Sequence, residues 1–327
     1  MKAAPMLLAA LLALAAPTDA LATDMRFDGA TAWLNSPPLT ASDLRGKVVL
    51  VHFGTYTCIN WLRTLPHVRA WAEKYKQQGL VLVNVHTPEF EFEKNMDNVR
   101  RALKDLRLAD PVAVDNDFAV WRAFNNNAWP AIYLVDAQGG VRYRHLGEGE
   151  YERSEKMIQQ LLAEAGATGV PRDLVSVEGK GAEAAADWAS LRSPETYLGP
   201  ERAENRAFTD PARLRLNQWA ASGSWTPKRQ ALVLGKPQGR IAFRFHARDL
   251  HLVMGPAMAG SAVRFRVLID GKPPAAAHGG DVDAQGNGTV TEQRMYQLIR
   301  QTAPIADRTF EIEFLDPAVE AYVFTFG

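Results

Sequence analysis

The feature that most constrains this chain is a strand, turn and helix start around residue 50. Residues 48–53 are a run of apolar and β-branched side chains ending at Gly54, which reads as a buried strand. After the Thr55-Tyr56-Thr57 turn, Cys58 opens a helical pattern in which Leu62, Leu65, Val68, Ala72 and Tyr75 recur. Pro66 lies inside that pattern and is expected to kink it, because it lacks an amide hydrogen and crowds the preceding turn. Gly79 ends the helix. Further on, residues 80–86 read as a second buried strand and 91–106 as an amphipathic helix. A short strand over 111–114 and a short helix over 118–124 follow. Residues 131–136 and 141–145 form a hairpin across Gln138-Gly139-Gly140, and 154–165 form a closing helix. With a strand pair expected before Leu44, the order is β-α-β-α-β-α-β-β-α. Helices fill the long connections that parallel strands require, which predicts a mixed sheet with helices on both faces.

The second half has a different character. Residues 167–192 are rich in Ala, Gly and Glu with little periodicity, a linker with at most a helical turn over 182–191. From residue 193 short alternating segments dominate: 230–234, 239–245, 250–254, 263–269, 288–291, 295–299, 308–314 and 321–326. Asp270-Gly271 and Gln285-Gly286-Asn287-Gly288 supply turns. Many short strands with almost no helix predict an all-β sandwich of the jelly-roll kind. The expected division is a signal segment over 1–22, an α/β domain over 23–166, the linker, and the sandwich over 193–327.

Lys2, an apolar run over 6–16 and the small-x-small Ala20-Leu21-Ala22 site are the parts of a secretory signal. The apolar run is too short to span a bilayer well, so the expected product is periplasmic or secreted, without stable membrane insertion once the signal is removed. Lys and Arg total 37 and so do Asp and Glu, which gives no electrostatic case for nucleic acid as a partner.

Cys58 is the only cysteine in 327 residues, so no disulfide can close within one molecule. Packing must stabilise the fold, and the leftover thiol is reactive or open to intermolecular pairing. Its place after a strand and at a helix start matters, because the unpaired amides there carry partial positive charge that favours a thiolate. Cys58-Ile59-Asn60-Trp61 is half of a Cys-x-x-Cys motif, with Trp61 where the second sulfur belongs. A two-cysteine oxidoreductase attacks with one thiolate and releases its partner with the other, so this chain can perform only the first step alone.

Residues 44–165 resemble thioredoxin-like domains of the TlpA/DipZ kind. The resemblance is carried by Tyr56-Thr57-Cys58-Ile59-Asn60, Leu62-Arg63-Thr64-Leu65-Pro66, His86-Thr87-Pro88-Glu89-Phe90, Val114-Asp115-Asn116-Asp117, Trp129-Pro130-Ala131 and Gly147-Glu148-Gly149-Glu150-Tyr151. Residues 193–327 are similar to the carbohydrate-binding-like sandwich that follows that domain in DipZ. The membrane-spanning electron-transfer part of that family has no counterpart here. The resemblance implies that Cys58 is the attacking sulfur, that Pro130 is a cis-proline beside it, and that Trp129 lines the groove for a substrate strand. Asn60 and Trp61 belong to the same substrate-facing segment.

Three positions depart from the family pattern: Trp61 for the resolving cysteine, Gly54 for a tryptophan usual after the strand, and His52 for a buried acid on it. That acid is thought to serve the second sulfur, so His52 and Trp61 read as one linked change, unless this is an inactive copy that has drifted. A rival reading makes His52 a base for Cys58, or a cation that raises its thiolate fraction; a packed core histidine is the plainer alternative. Thr55-x-x-Cys58 is also similar to a peroxidatic loop, with Arg63 as a peroxide partner, though Val51 stands where a proline is expected.

His52, His67, His86 and His145 lack metal-ligand spacing, so neither metal nor other cofactor is expected. Trp121, Trp188, Trp219 and Trp225 are candidates for stacking on a glycan, although core packing is the commoner role. Asp281, Asp283 and Asn287 read as a turn rather than a calcium loop. The functional expectation is a monothiol thiol–disulfide protein that forms mixed disulfides with protein or small-molecule thiols. The alternatives are a redox-inactive protein- or glycan-binding scaffold and a one-cysteine peroxidase.

Overall fold

The computed structural model describes residues 26–208 and 210–327. The expected signal segment lies outside the described residues.

The first domain is a six-stranded mixed sheet. Its elements run β1 (Ala32–Leu34), β2 (Val48–Gly54), α1 (Ile59–Tyr75), β3 (Leu80–His86), α2 (Met96–Asp105), β4 (Val112–Val114), α3 (Ala119–Ala123), β5 (Ala131–Val135), β6 (Val141–Leu146) and α4 (Tyr151–Glu164). The strand order is β1-β4-β3-β2-β5-β6. β2, β3 and β4 run parallel, and β1, β5 and β6 pair antiparallel. The apolar runs do what their patterns predict: β2 and β5 are buried along their whole length because helices cover both faces. Trp71, Tyr75, Ile158 and Leu161 of α1 and α4 pack on Val48, Leu50, Ile132 and Leu134. On the other face Phe27, Val120 and Phe124 pack on Val49, Val51 and Phe53.

Two expectations needed adjustment here. The single helix expected over 91–106 is a 3₁₀ turn, Glu91–Lys94, followed by α2. The break is at Asn95, whose side-chain oxygen accepts from the amides of Asp97 and Asn98 and so caps α2. The strand pair before Leu44 is one short strand, β1. Helix α1 continues through Pro66 to Tyr75.

Between the domains, Val170 and Val175 pack against the α1/α4 cluster, and Arg69 reaches Glu183 at 2.8 Å. The expected helical turn over 182–191 is a 3₁₀ turn at Gly181–Glu183.

The second domain is two sheets face to face. The strands are β7 (Thr196–Tyr197), β8 (Trp219–Ser222), β9 (Trp225–Lys228), β10 (Ala231–Leu234), β11 (Gly239–Phe245), β12 (Asp249–Pro256), β13 (Val263–Ile269), β14 (Asn287–Val290), β15 (Arg294–Arg300), β16 (Arg308–Phe314) and β17 (Val319–Phe326). One sheet has the order β15-β12-β17-β10-β9, with β7 also on β17; the other is β14-β13-β16-β11-β8. Phe243, Phe265, Phe310 and Phe314 from one sheet meet Leu232, Leu252, Tyr296 and Phe324 from the other. Strands β7, β8 and β9 lie outside the segments that alternation predicts: β7 is two residues long, and exposed Pro227 breaks the pattern in β9.

The sandwich is seated on the α1 end of the first domain. Ala231, Val253, Met295, Tyr322 and Val323 share one apolar cluster with Tyr56, Cys58, Trp61, Phe90 and Phe92. The Tyr322 ring lies 4.8 Å from that of Phe92 and 5.2 Å from that of Phe90.

Candidate functional site

Cys58 is the N-cap residue of α1, in extended backbone at the exit of the loop that follows β2. Its Sγ points to the main-chain oxygen of Trp129 at 3.8 Å, and the Trp129-Pro130 peptide is cis. The Trp129 indole donates to Thr87 O at 2.9 Å and packs on Trp121, with ring centroids 4.4 Å apart. Cys58 and the Trp129-Pro130 pair are therefore brought together from two of the segments that the resemblance named.

The thiol is not the exposed, acidic sulfur that its helix-start position suggested. Cys58 is only 8% exposed. Burial pushes its pKa well up, and the nearby carboxylates of Glu195 and Glu89 push it further, while the amides of Trp61 and Asn60 pull down less. Desolvation outweighs the helix terminus here because the sandwich closes over the loop.

Trp61 fills the space behind the thiol. A Cβ added to Gly54 would lie 2.0 Å from Trp61 Cδ1, so the indole uses the volume that a side chain at 54 would need. His52 stacks on it, with centroids 5.6 Å apart and rings 19° from parallel. The His52 Nε2 is 2.9 Å from Thr64 Oγ1 and its Nδ1 is 3.2 Å from Asn84 Oδ1. Full burial lowers its pKa to about 4, so the imidazole is neutral at pH 7. Both ring nitrogens are engaged away from the sulfur, which argues against the reading of His52 as a base for Cys58. The Trp61 indole N–H and the Asn84 amide lack partners, and both residues line a cavity of about 10 Å³.

Arg63 is buried and turned toward the second domain. Its Nη2 donates to Phe326 O at 2.8 Å and lies 3.4 Å from Asn60 Oδ1; its Nη1 lies 3.2 Å from Glu148. A guanidinium spent this way is an interdomain clamp rather than a peroxide ligand.

Several residues around the thiol carried no signal of their role in the sequence. Glu93 is fully buried; one carboxylate oxygen accepts from Thr57 Oγ1 at 2.5 Å and the other from the amides of Glu89 and Phe90 at 2.6 and 2.9 Å. It ties the loop preceding Cys58 to the loop following β3, and burial raises its pKa to about 7. On the sandwich side, the Tyr197 hydroxyl lies 2.5 Å from Glu89 Oε1 and 2.7 Å from Glu195 Oε2. Arg202 pairs with Glu89 at 2.7 Å and stacks on the Tyr197 ring. Glu89 stood in a segment that the resemblance singled out; Glu195, Tyr197 and Arg202 could be found only by seeing which strand of the sandwich lands here.

Of the candidate stacking residues, Trp121 packs on Trp129, whereas Trp188 is exposed with Arg63 over its ring. No group of three His, Cys, Asp or Glu among the described residues could hold a metal ion. Asp283 closes a turn by accepting from the amides of Gln285 and Asn287, and Asp281 pairs with Arg294. Trp219 is fully buried in the sandwich core, and Trp225 packs on Phe314. A cavity of about 500 Å³ lies between the domains, lined by Tyr56, Leu62, Arg101, Glu183 and Met295; Cys58 is not on its wall. No helix of the described residues is long and apolar enough to cross a membrane.

Comparison with known proteins agrees with this layout. Residues 29–144 match the AhpC/TSA family, and residues 193–327 match the family described as thioredoxin like C-terminal domain. The chain is 35% identical over 275 residues to the protein DipZ of Mycobacterium tuberculosis, a match that covers 79% of this chain and 38% of DipZ. The chain thus spans well under half the length of that relative. It is 30% identical over 136 residues to the thiol-disulfide oxidoreductase YkuV of Bacillus subtilis, covering 42% of this chain and 91% of YkuV. Among solved structures, a thioredoxin-like protein in the oxidised form is 31% identical, with a TM-score of 0.40 over 43% of this chain and 96% of that one.

Proposed function

The chain belongs to the thioredoxin-like thiol–disulfide oxidoreductases, and from that premise we propose that it works as an exported monothiol protein, exchanging thiols and disulfides through Cys58 alone. The observation that carries this reading is the joint placement of one sulfur and one indole. Cys58 caps α1 beside the carbonyl of Trp129, and Trp61 occupies the interior where the next helical turn would otherwise hold a second thiol. The proposed cycle begins when the Cys58 thiolate attacks a disulfide, forming Cys58–S–S–R and expelling the other half as a thiolate. A second thiol must then attack the mixed disulfide and release Cys58, because no sulfur in the chain can. The secretory pattern over residues 1–22 supports an exported, oxidising setting.

Burial of Cys58 and its raised pKa favour a second reading, a recognition scaffold on which turnover has been lost. Peroxidase chemistry is the weakest of the three, since it asks for a thiolate with Arg63 at hand and Arg63 is held by Phe326 and Glu148. Trapping separates the first two. Wild type and Cys58→Ser are incubated with exported proteins, and adducts are resolved by mass spectrometry with and without reductant. Reductant-sensitive adducts confined to wild type support exchange. Partners held equally by Cys58→Ser, with no adduct on wild type, would leave only the scaffold.

A further inference from the structure

Resting on the reading of Cys58 as an exchange thiol, we infer that the second domain selects substrates by charge: Glu195 favours disulfides that carry positive charge beside the sulfur. The path from sulfur to carboxylate is continuous. Cys58 Sγ lies 3.8 Å from Trp129 O, and the Trp129 indole donates to Thr87 O at 2.9 Å. Two residues further on, Glu89 leaves the first domain and meets the Tyr197 hydroxyl at 2.5 Å; that hydroxyl is 2.7 Å from Glu195. One hydroxyl has one proton, so it can serve only one of these carboxylates at a time.

The charges around this path do not cancel evenly. Glu89 is offset by Arg202 at 2.7 Å. Arg63, the first cation along the helix that Cys58 caps, is buried against Glu148 and Phe326 O. Glu195 is exposed as a residue, but burial of its carboxyl and the neighbouring Glu89 raise its pKa to about 7; Arg202 opposes this through space, and among the described residues no cation is bonded to it. It is also the charge that most raises the Cys58 pKa, which places it within Coulombic reach of the sulfur. Glu89 and Glu195 thus share one cation, Arg202, so above pH 7 an incoming disulfide meets a net negative charge to which the sandwich contributes Glu195. A cationic group flanking the scissile sulfur gains from it, and an anionic one is repelled.

The exchange step balances without an outside oxidant. Cys58 gives up its proton and forms a sulfur–sulfur bond with one half of the disulfide. The original sulfur–sulfur bond breaks, and the departing thiolate takes up the proton.

The test uses three disulfides of similar length: cationic cystamine, neutral 2-hydroxyethyl disulfide and anionic 3,3′-dithiodipropionate. Adduct formation on Cys58 of the full chain is followed by mass spectrometry at pH 8, where Glu195 is ionised, at low and high salt, and each rate is divided by that of a free cysteine peptide. In wild type the expected order at low salt is cystamine, then the neutral probe, then the dianion. Glu195→Gln is expected to cut the cystamine preference about threefold, the size of one partly hydrated Coulomb contact, and Glu195→Lys is expected to invert it. High salt should compress all differences in wild type. Equal normalised rates for the three probes, or a preference unmoved by both substitutions, would overturn the charge inference while leaving exchange intact. If the folded protein reacts with none of the probes and the denatured chain reacts with all, the exchange reading itself is overturned and this inference falls with it.

Discussion

Trp61 and Gly54 are complementary. A Cβ on Gly54 would stand 2.0 Å from Trp61 Cδ1 and 2.1 Å from Nε1, so the indole can occupy its place only because residue 54 has no side chain. Its other face stacks on His52. His52, Gly54 and Trp61 are thus one packed unit.

Adding a side chain at 54 is therefore expected to destabilise the fold. Gly54→Ala should cost about 1–3 kcal/mol, the usual range for overpacking a tight interior. Truncating Trp61 should cost about 3–5 kcal/mol through the cavity it leaves. Because the two residues compete for one space, Gly54→Ala should cost far less once Trp61 is small. Chemical denaturation of both single variants and the double variant measures the coupling, and strict additivity would mean that the contact is not as drawn.

Restoring the missing sulfur tests whether the rest of the site is intact. Trp61→Cys is expected to raise insulin reduction in the presence of dithiothreitol several-fold over wild type, with Cys58→Ser abolishing the gain. No gain in a variant that still folds by circular dichroism would locate the loss of turnover in Cys58 and its surroundings rather than in the absent partner.

The sandwich closing over Cys58 makes access a property of the interface. Tyr322 packs on Phe90 and Phe92 beside the thiol. An aromatic contact of this kind contributes about 1 kcal/mol, so Tyr322→Ala should raise the rate of iodoacetamide labelling of Cys58 in the native protein about fivefold. An unchanged rate would mean that the thiol is reached without any loosening of that contact.

Glu93 gives a pH signature. Its folded pKa of about 7 lies above its ordinary value of 4.5. The folded state therefore binds more protons between those limits, and Glu93's contribution to stability falls as pH rises from 4.5 to 7. The size is about 3 kcal/mol across that window, from the pKa difference. Buried His52 and His86, with pKa values lowered to about 4, act in the opposite sense, losing stability as pH falls below 6.5. The measurement is accordingly the difference between wild type and Glu93→Gln, which should shift steadily against wild type from pH 4.5 to 7 and level off above. A flat difference would show that Glu93 titrates normally.

Much of this could be read from the chain. The strand at 48–53, the Cys58 helix start, the hairpin and most sandwich strands are set by local apolar periodicity and turn residues, which act over a few positions and leave their mark in order. The departures at His52, Gly54 and Trp61 were visible as an unusual set, but their packing against one another was not, because it depends on where the indole points. Asn95 ended the helix pattern early because a side-chain cap competes with helical continuation, something the amphipathic spacing alone does not weigh.

One thiol, at a helix start and with no internal partner, is already written in the composition and order of the chain. How that thiol behaves depends on the way the two domains meet. Residues 58 and 195 are far apart along the chain, and the folded molecule brings a sandwich carboxylate within Coulombic reach of the thiol while it buries the sulfur in the domain interface. Burial and long-range charge depend on which surfaces meet, so the helix-start position alone promised a thiolate, while the assembled domains hold a thiol.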